Sequence, residues 1–170
     1  MMAYRHATAY WLLPEPPVCE ALSQEIAKLA EQFGAPLFKP HVTVFIALEN
    51  SRDPREVLLE LGHVDIKLTI RSVRFSEQFT KTLFVQFEKN VVLQQLGDAI
   101  WKASGAGERY LIVPHLSLLY ARLPTTKKRA LANKMRLPLA ELRFTSICAM
   151  RCARPTRTAA EVEQWKLLAP

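Results

Sequence analysis

Hydrophobic and polar positions along this chain switch repeatedly between a period of two and a period of three to four, and the switches mark out short elements. Ala7–Pro14 is an apolar, aromatic-rich run ended by prolines that cannot continue a ladder, so it reads as a buried strand. In the following stretch, Pro17–Gly34, the residues Val18, Leu22, Ile26, Leu29 and Phe33 recur every three or four positions. That spacing predicts an amphipathic helix, stopped by Gly34. His41–Leu48 is the next strand. Asp53–Gly62 reads as a short helix with Asp53 as its N-cap and Pro54 at the first helical position. Asp65–Gln78 alternates polar and apolar for much of its length, as a half-buried strand does.

The same order then starts again. Lys81–Glu88 is a strand, and Val91–Ser104 a helix with Val92, Leu96, Ala99, Ile100 and Ala103 on one side. His115–Leu123 is a strand, Thr125–Met135 a short basic helix, and Ala140–Cys152 and Glu163–Ala169 supply closing strands. Strand–helix–strand–helix–strand thus occurs twice, with no Gly/Ser-rich linker between the halves. The expectation is an α+β fold in which residues 1–170 form two lobes of a single unit.

Composition narrows the class. The 170 residues are 49% hydrophobic, ample for a core, and no run of about 18 apolar residues offers a membrane span. The start, Met1–Pro17, lacks a basic segment followed by a sustained apolar stretch, so neither a signal peptide nor a membrane partner is expected. Three cysteines give no disulfide framework; Cys148 and Cys152 fall on one face of a strand without a third ligand at metal spacing. Free thiols of this kind fit a cytoplasmic protein. Nothing suggests an oligomer, and a monomer is expected. The net charge of +7 is uneven: from Arg122 to Arg157 there are ten Lys or Arg residues and one acid, Glu141. A basic half of this kind suits a phosphate-bearing partner.

The candidate chemistry lies in two stretches that say nearly the same thing, KPHVTVF (Lys39–Phe45) and VPHLSLLY (Val113–Tyr120). Residues i and i+2 of a strand share a face, so His41 stands beside Thr43, and His115 beside Ser117. The two histidines lie 74 residues apart, one in each half. Two imidazoles facing one cleft supply a general base and a general acid near neutral pH. Two hydroxyls beside them can hydrogen-bond the non-bridging oxygens of a phosphodiester. No Asp/Glu cluster accompanies either histidine, and two histidines leave a zinc site short of ligands, so no metal and no cofactor are expected. Ser117 has no G-x-S-x-G turn around it and reads as a phosphate donor rather than a nucleophile. His6 and His63 have no hydroxyl at i+2 in an apolar strand and carry no assigned role.

PHVTV and PHLSL resemble the paired His-x-Thr/Ser motifs of the 2H phosphoesterase superfamily. YWLLP, PLFKPHVTV, PHLSLLYARL and EQWKLLA, in that order, resemble its plant and yeast cyclic nucleotide phosphodiesterase branch. The resemblance implies a two-lobed α+β fold with a pseudo-twofold axis, antiparallel sheets lining a central cleft and helices outside. It implies metal-independent opening of nucleoside 2′,3′-cyclic phosphates or ADP-ribose 1″,2″-cyclic phosphate, with His41 and His115 as the acid/base pair. Thr43 and Ser117 would hold phosphoryl oxygens, Tyr120 would line the cleft beside the phosphate, and Trp11 would contact the nucleoside. Strand period and resemblance disagree at Tyr120: His115, Ser117 and Leu119 share a face, so Tyr120 points away unless a strand end or bulge returns it. The basic stretch keeps open a neighbouring branch that acts on RNA 2′,3′-cyclic phosphate ends and is also called 2′-5′ RNA ligase. A non-catalytic RNA or nucleotide binder is the third reading. The near-symmetry of the motifs does not say which histidine is acid and which base.

Overall fold

Local chemistry starts and stops the helices where the sequence indicates. In a computed structural model that describes residues 5–170, helix α1 (Pro16–Phe33) opens on two prolines and closes at Gly34, which takes the left-handed conformation at φ 61°. Asp53 caps α2 (Pro54–Leu61) by accepting the Arg55 N–H, and Asn90 caps α3 (Val91–Ser104) by accepting that of Leu93. The remaining helices are α4 (Thr125–Lys134) and the short α5 (Ala159–Glu163), which begins with a Thr158–Glu161 capping box. Residues 1–4, part of the stretch read above for a signal peptide, lie outside the described residues. Among the described residues no helix is long and apolar enough to cross a membrane.

Seven strands, all antiparallel, form one hydrogen-bonded sheet: β1 (Arg5–Pro14), β2 (Val42–Leu48), β3 (Ile66–Phe75), β4 (Leu83–Phe87), β5 (His115–Leu119), β6 (Glu141–Arg154) and β7 (Lys166–Ala169). It consists of two half-sheets. In one, β1 lies between β2 and β6, with β7 beyond; in the other, β4 lies between β5 and β3. Two seams join them. The first four residues of the long β6 pair with β3 before the rest runs along β1, and β2 meets β5 through the single pair Val42↔Leu116. That last seam brings the two histidine stretches side by side.

The helices cross over. α1, from the first half, packs on β5 of the second, and α3, from the second half, packs on β2 of the first. A single apolar cluster, including Tyr10, Leu12, Val44, Leu83, Leu118 and Phe144, accordingly draws on both halves. The opposite face of the sheet lines a cleft and carries a smaller cluster around Ala9, Trp11, Leu13 and Cys148.

One expectation needs correction. Of the expected face of α3, Ile100 is buried and Leu96 and Ala103 pack half-buried against the core, but Val92 and Ala99 are exposed; the fully buried residues are Leu93, Gly97, Ile100 and Ser104. The cause is close approach: a Cβ on Gly97 would lie 2.7 Å from Ile112 Cδ1 and 3.3 Å from the Val44 carbonyl oxygen. Gly97 lets the helix come close to β2 between the buried Leu93 and Ile100. The three cysteines are free; Cys148 is buried, and Cys19 and Cys152 are half-buried.

Candidate active site

Each histidine follows a proline, which favours an extended chain before it and delivers the ring at the start of its strand. His41 precedes β2 and His115 opens β5. In both, the ring turns back to a carbonyl two residues earlier. His41 Nδ1 lies 2.7 Å from the Lys39 oxygen, and His115 Nδ1 lies 3.0 Å from that of Val113. A carbonyl only accepts, so Nδ1 carries the hydrogen in each ring, and Nε2, with its lone pair, makes no hydrogen bond among the described residues. Both residues line one cleft of about 580 Å³, together with Thr43, Ser117, Tyr120 and Trp11. All six residues expected from the sequence are thus gathered in one place.

The symmetry goes beyond the motif. Each strand carries a bulge one residue after its hydroxyl. Trp11 pairs with Thr43 while Tyr10 pairs with Phe45, leaving Val44 extra; Phe84 pairs with Ser117 while Leu83 pairs with Leu119, leaving Leu118 extra. A bulge reverses the alternation after it. The cleft therefore receives His41, Thr43 and Ile46 from one half, and His115, Ser117 and Tyr120 from the other. The conflict over Tyr120 is resolved here: the strand is bulged, and Tyr120 faces the cleft. Opposite each hydroxyl stands an aromatic that packs on the neighbouring histidine. Trp11 stacks on His41, with ring centroids 3.7 Å apart and planes 10° apart, and Phe84 meets His115 edge-on at 5.7 Å.

Burial shifts both rings toward their neutral forms. His41 is 7% exposed, and burial pulls its pKa down to about 4. The Lys39 carbonyl opposes this shift, and the like charge His115 can carry adds to it. His115 is also lowered, first by burial and then by Lys81, against the pull of the Val113 carbonyl. Burial pushes the Tyr120 phenol well above its ordinary range, and the Cys152 thiol up to about 12. No Asp or Glu lines the cleft, and among the described residues no three His, Cys, Asp or Glu side chains gather into a metal-binding group.

The two hydroxyls differ. Thr43 is half-exposed and makes no side-chain hydrogen bond among the described residues, whereas Ser117 donates to the Thr80 carbonyl at 2.8 Å. Trp11 is 3% exposed, and one face of its indole is covered by His41. The cleft also contains side chains that the sequence reading left unassigned. Trp165 is half-buried and sits edge-on to Trp11 at 5.2 Å and to Tyr120 at 5.8 Å. Lys81, Tyr110 and Arg154 stand at the margins. EQWKLLA held the only signal for Trp165; nothing in the sequence marked the other three.

The fold and motifs have counterparts. A family model described as cyclic phosphodiesterase-like protein matches residues 6–170. The cyclic phosphodiesterase of Arabidopsis thaliana is 24% identical over 127 residues, covering 73% of this chain and 70% of its own length. Among solved structures, TT0787 of Thermus thermophilus has a TM-score of 0.54 at 15% identity, covering 86% of this chain and 88% of its own. E. coli LigT in complex with 3′-AMP has a TM-score of 0.56 at 11% identity, over 98% of this chain and 95% of its own. These structures share the fold. With a family match over nearly the whole chain and both His-x-Thr/Ser strands meeting in one cleft, the protein belongs to the cyclic phosphodiesterase-like family of 2H phosphoesterases and is a phosphodiesterase enzyme.

Proposed function

We propose that the cleft hydrolyses a small ribose cyclic phosphate, a nucleoside 2′,3′-cyclic phosphate or ADP-ribose 1″,2″-cyclic phosphate, to a phosphomonoester without a metal. The observation that carries this reading is the matched pair of imidazoles, each with Nδ1 tied to the carbonyl two residues back and Nε2 left open. One histidine removes a proton from water as its oxygen bonds to phosphorus. The phosphorus–oxygen bond to one ribose oxygen breaks, and the other histidine, in its protonated form, gives that oxygen a proton. The shift of both rings toward the neutral form suits the base directly. The acid acquires its proton with the substrate, because a bound phosphate anion favours the imidazolium form.

Thr43, with its hydroxyl unengaged, donates to a non-bridging oxygen. Trp11 acts through His41 by holding the ring against its indole face, and Tyr120 walls the phosphate end. The nucleoside lies along the apolar half of the cleft, toward the partly open edge of Trp165. A small substrate is favoured over a long RNA strand because, of the ten cations from Arg122 to Arg157, only Arg154 lines the cleft. Lys128 is buried against Glu77, and Arg143 is paired with Asp65. The test is turnover in EDTA of both small substrates beside an RNA oligomer ending in a 2′,3′-cyclic phosphate. Hydrolysis of the small substrates supports the reading. Hydrolysis of the oligomer alone moves the enzyme to RNA ends, and binding without turnover makes the cleft a receptor.

A further inference from the structure

The cleft continues well past the two histidines. Trp11, Ala9 and Ala7 follow one another along its β1 side, and His41 stacks on the first of them. Trp11 to Ala7 is four residues of strand, about 13 Å. At that far end one wall is Arg154, whose backbone pairs with Arg5, and the other is Tyr110 with Leu111. None of these three touches the histidines, and none has a part in the acid/base chemistry.

Both walls are held in place. Residues 105–114 link α3 to β5, and α3 grips them at several points. Gln94 donates to the Tyr110 carbonyl at 3.1 Å and accepts the Ile112 N–H at 2.9 Å, so it brackets Leu111. Arg109 binds both oxygens of Asp98 at 2.9 Å, and the Trp101 indole N–H donates to the Gly107 carbonyl at 3.2 Å. The Tyr110 ring lies parallel to that of Phe45, with centroids 5.6 Å apart and planes 11° apart. Yet Tyr110 is 40% exposed and Leu111 69%. On the other wall, the Thr156 hydroxyl donates to the Ala153 carbonyl at 2.8 Å and accepts the Trp165 indole N–H at 3.3 Å, which ties the turn after Arg154 to the site. The Arg154 guanidinium makes no hydrogen bond or ion pair among the described residues. Burial pushes the Tyr110 phenol up to about 12, against the pull of the Ile46 backbone and then of the Arg154 charge, so that cation is felt across the gap. Apolar side chains fixed yet open to solvent, facing an unpaired cation in a cleft without carboxylates, suit an aromatic group joined to an anion.

We propose that this end of the cleft is a second subsite, which binds a nucleoside diphosphate group attached to the reacting ribose, with Arg154 on the diphosphate and the Tyr110–Leu111 wall against the base. The inference rests on the cyclic phosphate reading above and chooses within it. ADP-ribose 1″,2″-cyclic phosphate fills both subsites. A nucleoside 2′,3′-cyclic phosphate has one phosphate, taken by the histidines, and offers nothing to Arg154. A long RNA strand needs cations along its whole path, whereas Arg154 alone of the basic run from Arg122 to Arg157 lines the cleft. Contacts this far from phosphorus are the same in the ground and transition states, so their loss falls on KM.

Arg154→Met removes the charge and Leu111→Ser the apolar surface; both side chains are exposed, and a thermal melt checks that each variant is folded. With ADP-ribose 1″,2″-cyclic phosphate, Arg154→Met is expected to raise KM by about 10-fold and Leu111→Ser by about 3-fold, with little change in kcat. The loss of kcat/KM in Arg154→Met should be about 10-fold greater for this substrate than for a nucleoside 2′,3′-cyclic phosphate. Calorimetry with ADP-ribose is expected to show binding that weakens by about 10-fold in Arg154→Met. Three results overturn the proposal: equal losses on the two cyclic phosphates, ADP-ribose affinity unmoved by Arg154→Met, or a greater loss on an RNA oligomer ending in a 2′,3′-cyclic phosphate than on the ADP-ribose substrate. The calorimetric arm does not depend on turnover. If the wild type hydrolyses no cyclic phosphate yet binds ADP-ribose through Arg154, the functional reading fails and the second subsite stands.

Discussion

Burial of His41 makes folding stability depend on pH in a calculable way. In an unfolded chain an imidazole titrates near pH 6.5; in the folded protein, desolvation lowers His41 to about 4. Between those values the unfolded chain holds more protons than the native one, so stability is complete above the unfolded pKa and falls as the solution is acidified. The depressed pKa amounts to about 3 kcal/mol once both values are passed, and to about 2 kcal/mol between about pH 7.5 and about pH 5. Asp65, Asp98 and Glu77 also have lowered pKa values, chiefly through hydrogen bonds to Arg143, Arg109 and Lys128, but their contribution is lost at more acidic pH. Stopping at about pH 5 therefore largely isolates the histidines. Urea denaturation of the wild type and His41→Gln at both pH values is the assay, and His115, present in both proteins, cancels in the comparison. The wild type should lose about 2 kcal/mol more than the variant on acidification. Equal losses, at unchanged m-values, would refute the claim that His41 is held neutral by burial.

Three other predictions follow from the same geometry. Binding of a nucleoside monophosphate near neutral pH should take up protons, seen as a buffer-dependent calorimetric enthalpy, because the anion favours a charged imidazole while burial favours the neutral form of both histidines. Trp11→Leu removes the ring stacked on His41 and should lower kcat by up to about 10²-fold with little change in KM; an unchanged kcat would show that the stack does not orient His41 for catalysis. Thr43→Val, which removes a hydroxyl with no protein partner among the described residues, should lower kcat by about 10²-fold while leaving the thermal melt close to wild type. A large fall in melting temperature would give Thr43 a structural role instead.

Much of this protein can be read from its sequence because the features concerned are local. Gly34, Asp53 and Pro54 end or begin helices through their own chemistry, and His41–Thr43 and His115–Ser117 are adjacent on any strand. Features set by packing could not be read in the same way. The buried face of α3 depends on how closely Gly97 approaches Val44 and Ile112, which an apolar count of Val92, Leu96 and Ala99 does not register. The bulges at Val44 and Leu118 are visible only in strand register, yet they decide that Ile46 and Tyr120 face the cleft. Trp165 reaches the site through β7 and the unanticipated α5. Lys81 reaches it from the 3₁₀ turn Phe79–Lys81, which Ser117 and Thr82 hydrogen-bond to the end of β5. The basic run also looked like one surface in the sequence, but in the fold several of its cations are engaged with Glu77, Asp65 and backbone carbonyls.

The most direct test of the central claim is single-turnover hydrolysis of a nucleoside 2′,3′-cyclic phosphate, in EDTA, by the wild type, His41→Ala and His115→Ala, each first checked for a cooperative thermal melt. The account predicts a monoester product from the wild type and a loss of about 10²–10⁴-fold in each folded variant. A folded variant that retains the wild-type rate would contradict the two-histidine mechanism.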